Sequence, residues 1–406
     1  MRGRLPTAIR TPLGVAAVGG LLALWMTLAL RSITPPIEFN AGLGYDGQHY
    51  AAMVEAMRGG RGPVLAERPH YAYRPLPVAI VAVSGLDVIP GFLLMNALSL
   101  VLAGAILAAI VRRYAGGVLL PVTAVVWWAA LPGSIRYSLY YPVLVDGIGL
   151  FLLFALVYAV VARLPWLFAL LIGPAMLARE NLIVLVPMLW LALLPTGLWR
   201  ATMWSAVPGA LALAAFLWVR IAPPIPPAEP FDAVFEARQN LEWFFGNVND
   251  RALRFASAWI LALGLFAVVP LSTWRAAVSF LRRELAWAYY LATTVALIVV
   301  IGGDYDRYFL YLVPALAVLS FGATTTARLW RSSLVLALAT GAHLLLSRFA
   351  WPVGGTEEAY LAYSVATMDV PSLLALLSAG AVVAAAASAI LFVARSTDRN
   401  GPLRAV

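Results

Sequence analysis

The first residue suited to chemistry is an aspartate in a polar, glycine-rich segment, 42–50, that follows the first long apolar run. Asp46 is the candidate catalytic residue, because a carboxylate can act as a general base and take a proton from a reacting hydroxyl. The alternative role is structural, since an aspartate in front of a helix beginning at Gly47 would cap the helix. The neighbouring candidates for substrate binding are Tyr45, Gln48 and His49.

A second acid, Asp146, lies at the mouth of an otherwise apolar stretch, where a charge is costly unless it has a partner. We weigh two roles for it. As the N-cap of the helix that follows, it would satisfy free backbone amides. As a site residue, it would orient an acceptor hydroxyl or help to hold a cation.

Arginines next to acids form further candidate sites, and arginine suits phosphate because its planar fork donates two parallel hydrogen bonds. Arg179 and Glu180 are adjacent between two short apolar pieces, where they are either a self-neutralising pair or a substrate site with Arg179 on phosphate. Asp306 and Arg307 repeat the pattern. Arg74 is a candidate for an anionic head group, with lipid-phosphate anchoring as the alternative.

The histidines do not show the spacing of a metal site. His49 and His70 share one connection with Asp46, so a divalent cation is an alternative there, although no cofactor is firmly predicted. His343 lies within an apolar run and is expected to be a packing residue whose hydrogen bonds are satisfied.

The composition indicates what class of protein carries these residues. The chain has 406 residues, of which 63% are hydrophobic and 12% charged, with no cysteine. A soluble core cannot absorb that much apolar surface, since about a quarter of a globular domain is normally charged. The net charge of +9 comes from arginines that flank apolar runs, so it favours membrane topology over a nucleic-acid partner.

We therefore predict an all-α, polytopic membrane protein with about twelve transmembrane helices in a single domain, 1–406. The first span is expected to be uncleaved, because proline and polar residues follow it where a cleavage site would be. The predicted spans are 12–31, 90–111, 118–133, 147–163, 164–178, 181–194, 202–220, 252–271, 285–302, 308–322, 333–349 and 371–394.

This topology puts most arginine-rich connections, and both termini, in the cytoplasm, as the positive-inside rule requires. All but two of the 19 carboxylates then fall on the outer side. The outer connection 32–89 is predicted to hold an amphipathic surface helix after Asp46, with Tyr50, Met53, Val54 and Met57 on its apolar face. A second apolar stretch, 75–83, is too short to span and is predicted to be a surface or re-entrant helix. The other long outer connection is 221–251.

This arrangement resembles the GT-C superfamily of integral-membrane glycosyltransferases, which take sugars from polyprenyl-phosphate carriers. The resemblance lies in one span, a long outer loop with an early aspartate, a second acid before the fourth span and basic residues at outer helix ends. Locally, Tyr45-Asp46-Gly47-Gln48-His49-Tyr50 and Tyr73-Arg74-Pro75-Leu76-Pro77 are similar to mannosyltransferases of the GPI-anchor pathway and their bacterial relatives. The chain departs from many members in having a single acid at the motif and no large C-terminal soluble domain.

The resemblance implies a multi-pass inner-membrane enzyme that transfers a hexose or pentose, with inversion, from a polyprenyl-phosphate donor to a lipid or glycan acceptor at the periplasmic or extracellular face. Asp46 would be the base, and Arg307, Arg179 and Arg74, in that order, would bind the leaving phosphate. Further residues expected to shape the donor or acceptor side are Glu242, Trp243, Asp250 and Arg251. The alternatives are a transporter or flippase of lipid-linked sugars and a noncatalytic subunit of a glycan-assembly complex.

Overall fold

The computed structural model describes residues 11–59, 69–227, 262–301, 305–322, 333–349 and 355–359, with isolated positions between 238 and 259 and at 389. These parts are mainly helical and contain no strand, as the all-α prediction requires. Eleven helices in the first part of the chain are α1 Pro12–Arg31, α2 Gly44–Met57, α3 Pro69–Ala72, α4 Pro75–Ser84, α5 Val88–Arg112, α6 Leu119–Ala130, α7 Tyr137–Tyr140, α8 Asp146–Val161, α9 Pro165–Ala178, α10 Leu185–Leu193 and α11 Leu198–Ile221.

The described helices after residue 227 are shorter or follow sharp bends. They are α12 Leu265–Ser272, α13 Trp274–Arg283, α14 Leu285–Ile301, α15 Tyr305–Tyr308, α16 Val313–Ala317 and α17 Ser333–Phe349. The predicted span 371–394 and most of the connection 221–251 lie outside the described residues.

Among the described residues, α1, α5 and α11 are long and apolar enough to cross a membrane. Two bent pairs also qualify when each is taken as one span: α6 with Pro132–Tyr140, and α13 with α14. The described part therefore has three to five helices suited to a bilayer, and the larger number of about twelve stays a prediction. Shorter apolar helices accompany them, namely Pro75–Ser84, Asp146–Val161, Pro165–Ala178, Glu180–Thr196 and Phe309–Gly322.

The helix α1 packs along α5 through small residues. A Cβ added to Gly19 would lie 2.6 Å from the Cβ of Ala108, and one added to Gly104 would lie 2.6 Å from the Cβ of Ala23. The two backbones approach closely because these side chains are small or absent, which is how membrane helices gain packing contacts. The bounds of α1 match the predicted span 12–31.

The helix α2 lies where an amphipathic helix was predicted after Asp46, and its apolar side packs inside the protein; its location on the membrane surface stays a prediction. Tyr50, Met53 and Val54 are buried, while Glu55 is exposed. Its end is tied to α4, because Arg58 donates to the carbonyl oxygen of Val81 at 3.0 Å. The stretch predicted as a short helix over 75–83 is observed as α4, which has ten residues and ends at a left-handed Gly85.

The buried His343 of α17 behaves as predicted. Its imidazole stacks on Trp127 with ring centroids 4.9 Å apart. Its Nδ1 accepts from the amide of Leu265 at 3.1 Å, and its Nε2 lies 2.8 Å from the carbonyl oxygen of Trp127. Both ring nitrogens therefore have partners, and the residue joins α17 to the start of α12.

Candidate functional site

The first turn of α2 rests on the segment that precedes α8. The hydroxyl oxygen of Tyr141 accepts from the backbone amides of Asp46 at 2.5 Å and Gly47 at 3.1 Å. These are orphan donors at a helix start, so a tyrosine from 95 residues away serves as the cap. The alternative role of Asp46, as the cap of a helix starting at Gly47, is ruled out, because the helix begins at Gly44 and Asp46 lies inside its first turn.

Glycine is required at two positions of this contact. Gly44 has φ +64°, a left-handed conformation, and a Cβ there would overlap the ring of Tyr141. A Cβ at Gly47 would lie 2.9 Å from the Cβ of Val143. The glycine-rich character of the segment thus serves close packing and a left-handed turn.

The Asp46 carboxylate points away from its own backbone toward two other elements. Its Oδ1 accepts from the hydroxyl of Tyr71 at 2.9 Å, and its Oδ2 lies 4.0 Å from Nη1 of Arg307. Tyr71 is stacked on His49, with ring centroids 4.7 Å apart. The Asp46 side chain is 31% exposed, the most accessible acid of the cluster described below.

Asp146 is more buried than Asp46. It forms an ion pair with Arg179 through Oδ1 and a second with Nη1 of Arg307, at 3.4 Å, through Oδ2. It is the first residue of α8, with Val145 at the N-cap, so the ion pairs rather than capping account for its charge. Burial acts to raise the pKa of Asp146, but the charges of Arg179 and Arg307 outweigh it and hold the pKa below its ordinary value.

Glu180 forms a two-point ion pair with Arg74, at 3.3 Å to Nε and 3.2 Å to Nη2. Burial opposes ionisation of Glu180, yet the Arg74 charge prevails and lowers the pKa to about 2. Burial likewise acts to lower the pKa of Arg74, and the Glu180 charge raises it well above its ordinary value. The predicted self-neutralising pair of Arg179 and Glu180 is therefore wrong, because each residue pairs with a different partner.

Because Arg179 and Glu180 are neighbours in the chain, their ion pairs join into one cluster of three acids and three arginines. We call it the polar cluster: Asp46, Arg74, Asp146, Arg179, Glu180 and Arg307. Arg307 bridges Asp46 and Asp146, and its guanidinium also lies 5.7 Å from the centroid of the Tyr137 ring. Charges are balanced within the cluster, which makes its burial tolerable. Of the three acids, Asp46 has the longest contact with arginine. Its carboxylate is therefore the one most available to a ligand.

The other predicted site residues make separate contacts, are exposed or lie outside the described part. Tyr45 donates to Glu357, which brings the segment 355–359 against the start of α2. Gln48 is exposed, and Glu242 pairs with Arg238 at 2.6 Å. The side chains of His70 and Asp306, and the residues Trp243, Asp250 and Arg251, lie outside what the structure describes.

The described residues contain no group of three or more histidine, aspartate or glutamate side chains arranged to hold a metal ion. The carboxylates of Asp46 and Asp146 instead face arginine. A cation at this point would have to displace Arg307, since like charges repel.

Asn96 of α5 is a positioning residue that the sequence did not reveal. Its Nδ2 donates to the carbonyl oxygens of Pro142 at 2.9 Å and Leu144 at 2.8 Å. These carbonyls belong to the segment that presents both Tyr141 and Asp146. The sequence signal that could have identified it is an asparagine within an apolar run, because a buried polar side chain needs hydrogen-bond partners.

Replacing Asn96 with alanine is expected to destabilise the fold by about 1–3 kcal/mol per carbonyl left without a partner. The measurement is thermal unfolding of the purified protein in detergent. Ser99→Ala, at another buried polar position of the same helix, is the control and should cost less. Equal stability of Asn96→Ala and the wild type would mean that Asn96 does not hold the segment.

The Arg74–Glu180 pair predicts a pH dependence of stability. The pKa of Glu180 is lowered from 4.5 to about 2, so the unfolded chain binds more protons than the folded chain between these values. The contribution of Glu180 is therefore fully present above pH 4.5 and is lost as the pH falls toward 2. The stability difference between wild type and Glu180→Gln, measured by thermal unfolding, should narrow as the pH is lowered, and a constant difference would contradict this account.

Comparison with models of known protein families finds no match to this chain, and comparison with curated proteins finds no sequence of significant similarity.

Proposed function

We propose that the chain is a membrane glycosyltransferase that transfers a sugar from a polyprenyl-phosphate donor to an acceptor hydroxyl, with Asp46 as the general base. The observation that carries the proposal is the exposure of Asp46 and its long contact with arginine within the polar cluster. It is the most exposed acid of the cluster, its Oδ1 is oriented by Tyr71, and its Oδ2 is near Arg307 without a close ion pair. Asp146 and Glu180 are instead neutralised by arginines at closer range.

The chemistry that this arrangement suits is a displacement at the anomeric carbon. Asp46 takes the proton of the acceptor hydroxyl as its oxygen forms a bond to that carbon. The bond between the carbon and the phosphate oxygen breaks at the opposite face, its electron pair leaves with the polyprenyl phosphate, and the configuration inverts. Arg307 would stabilise the charge that develops on the departing phosphate, since it is the arginine that lies next to Asp46.

The arginines differ in how available they are for phosphate. Arg179 is 4% exposed and is held by Asp146, and Arg74 is bound at two points by Glu180. Arg307 is shared between two acids, with contacts of 3.4 and 4.0 Å. We therefore assign Arg307 to the phosphate and Arg74 and Arg179 to positioning the acids.

The location proposed for the reaction is the outer face of an inner or plasma membrane. The support is the distribution of charge, because arginines dominate the other ends of the predicted spans. A membrane-level site also suits a donor whose lipid tail stays in the bilayer while its phosphate and sugar reach the polar cluster.

The test is a transfer assay with purified protein in liposomes. A panel of polyprenyl-phosphate hexoses and pentoses, each radiolabelled on the sugar, is offered with lipid and glycan acceptors. The expected result is labelled acceptor, free polyprenyl phosphate and an anomeric configuration opposite to that of the donor. Label that remains on the lipid while moving to the other leaflet would identify a flippase instead.

The flippase is the second candidate, and the position of the charged residues counts against it. A transporter is expected to keep its essential polar residues near the middle of the bilayer. Here Asp46 is in the first turn of α2, Asp146 begins α8 and Arg179 follows the end of α9. The polar cluster is thus built from helix ends.

A further inference from the structure

The residues of helix α13 fall into three groups: buried, exposed and apolar, and exposed and positively charged. Ala277 and Phe280 are buried against the protein. Trp274 and Val278 are apolar yet 58% and 37% exposed. The arginines of the helix are all exposed: Arg275, Arg282 and Arg283. By helical spacing Arg275 and Arg282 lie opposite the buried residues, and Arg283 lies opposite Trp274.

The direction of α13 suits a membrane surface. It meets α14 at a bend of 112°, and α14 is the apolar member of the pair, with 17 residues free of charge. When α14 crosses the bilayer, α13 therefore runs close to the membrane plane. An amphipathic helix in that orientation places its apolar side among acyl chains and its cationic side among head groups.

Neighbouring residues place α13 at the level of the arginine-rich end of α5. Phe280 packs edge-on against Tyr114, with ring centroids 5.7 Å apart. Tyr114 accepts a hydrogen bond of 2.9 Å from Trp287 at the start of α14. It also follows Arg112 and Arg113 directly in the chain, so α13 and the end of α5 share one face of the protein.

The charge of this face is strongly one-sided. Within the described part of the chain, the three α13 arginines make no ion pair with a carboxylate. Arg275 lies near the Trp274 ring at 5.5 Å, and Arg283 donates to the carbonyl oxygen of Ser279 at 3.2 Å. Glu284 is the acid beside them. This surface is complementary to a layer of negative charge.

We propose that α13 is an interfacial helix whose three arginines bind anionic phospholipid head groups of the leaflet at this end of the protein. Trp274 and Val278 enter the acyl boundary, and Arg275, Arg282 and Arg283 contact the phosphodiesters above it. The site is on the opposite end of the topology from the proposed catalytic cluster, so it is independent of the proposed function.

The first test is lipid binding. The full chain in detergent is titrated with phosphatidylglycerol, and the apparent Kd is read by native mass spectrometry. Each arginine near a charged membrane surface is worth about fivefold in affinity. The variant Arg275→Gln/Arg282→Gln/Arg283→Gln should therefore bind up to about a hundredfold more weakly at low salt. The matched triple substitution to lysine keeps the charge and should retain most of the binding.

The second test leaves every arginine in place and so does not depend on folding of the triple variant. The chain has no cysteine, and Val278→Cys and Ser279→Cys each introduce one unique site for a spin label. In liposomes containing phosphatidylglycerol, the label at 278 should collide with oxygen in the bilayer, and the label at 279 with a water-soluble nickel chelate.

Two results would overturn the proposal. One is an unchanged Kd for phosphatidylglycerol in the glutamine triple variant together with full access of both labels to the nickel chelate. The other is stronger binding of soluble triphosphate than of phosphatidylglycerol to the wild type, which would make a soluble anion the occupant.

Discussion

Asp46→Asn is expected to slow sugar transfer by about 10²- to 10⁴-fold, the range that general-base catalysis contributes. The amide keeps an oxygen that can accept from the Tyr71 hydroxyl, so the side chain should stay in place. It has no basic oxygen to receive the proton of an acceptor hydroxyl. The loss should therefore appear in kcat, with the KM for the donor nearly unchanged.

Glu55→Gln provides the matched control for this substitution. Glu55 lies on the same helix as Asp46, its side chain is 60% exposed, and its partner is Arg58. The same loss of charge there should leave turnover at the wild-type level. Thermal unfolding of both variants reports whether the chain is folded. A folded Asp46→Asn protein with wild-type turnover would remove Asp46 from the role of base.

Local patterns predicted the elements that carry the cluster. The apolar run that forms α1 is bounded by arginine on both sides, and its ends could be predicted closely for that reason. The spacing of Tyr50, Met53 and Val54 predicted the buried side of α2. The start of α2 was missed, since its cap comes from Tyr141, a residue that no local pattern connects with Asp46.

The membership of the cluster was predictable, but its pairing was not. Charges among apolar runs stand out because each needs a partner, and six of the residues selected on that ground meet in the polar cluster. Adjacency in sequence made a self-neutralising pair one of the two roles predicted for Arg179 and Glu180. Arg179 has an extended backbone, with φ −154°, and Glu180 begins the next helical segment, so the two side chains diverge toward Asp146 and Arg74.

The helix α13 was missed for a related reason. Its arginines were used only to assign a connection to the cytoplasmic side, although Trp274, Val278 and Leu281 recur at helical spacing. A ten-residue helix is too short to stand out as a span. Only its contact with Tyr114 and its angle to α14 show how it lies.

Asp146→Asn is expected to destabilise the fold by about 3–5 kcal/mol, the usual cost of removing one partner of a buried ion pair. Arg179 would remain in a site where it is 4% exposed, without a counterion. Arg307 would lose its contact of 3.4 Å and keep only Asp46, at 4.0 Å. The change in the free energy of unfolding can be measured by denaturant titration in detergent.

Two further variants test why Asp146→Asn costs stability. They separate the effect of leaving Arg179 buried without a counterion from the effect of removing a carboxylate in general. Asp46→Asn removes the more exposed acid and leaves both ion pairs of Asp146 intact, so its cost in stability should be clearly smaller. Asp146→Asn/Arg179→Met removes the stranded cation as well and should regain part of the loss, because an apolar side chain of similar length needs no counterion. If the double variant were less stable than Asp146→Asn alone, Arg179 would be held by something other than the charge of Asp146.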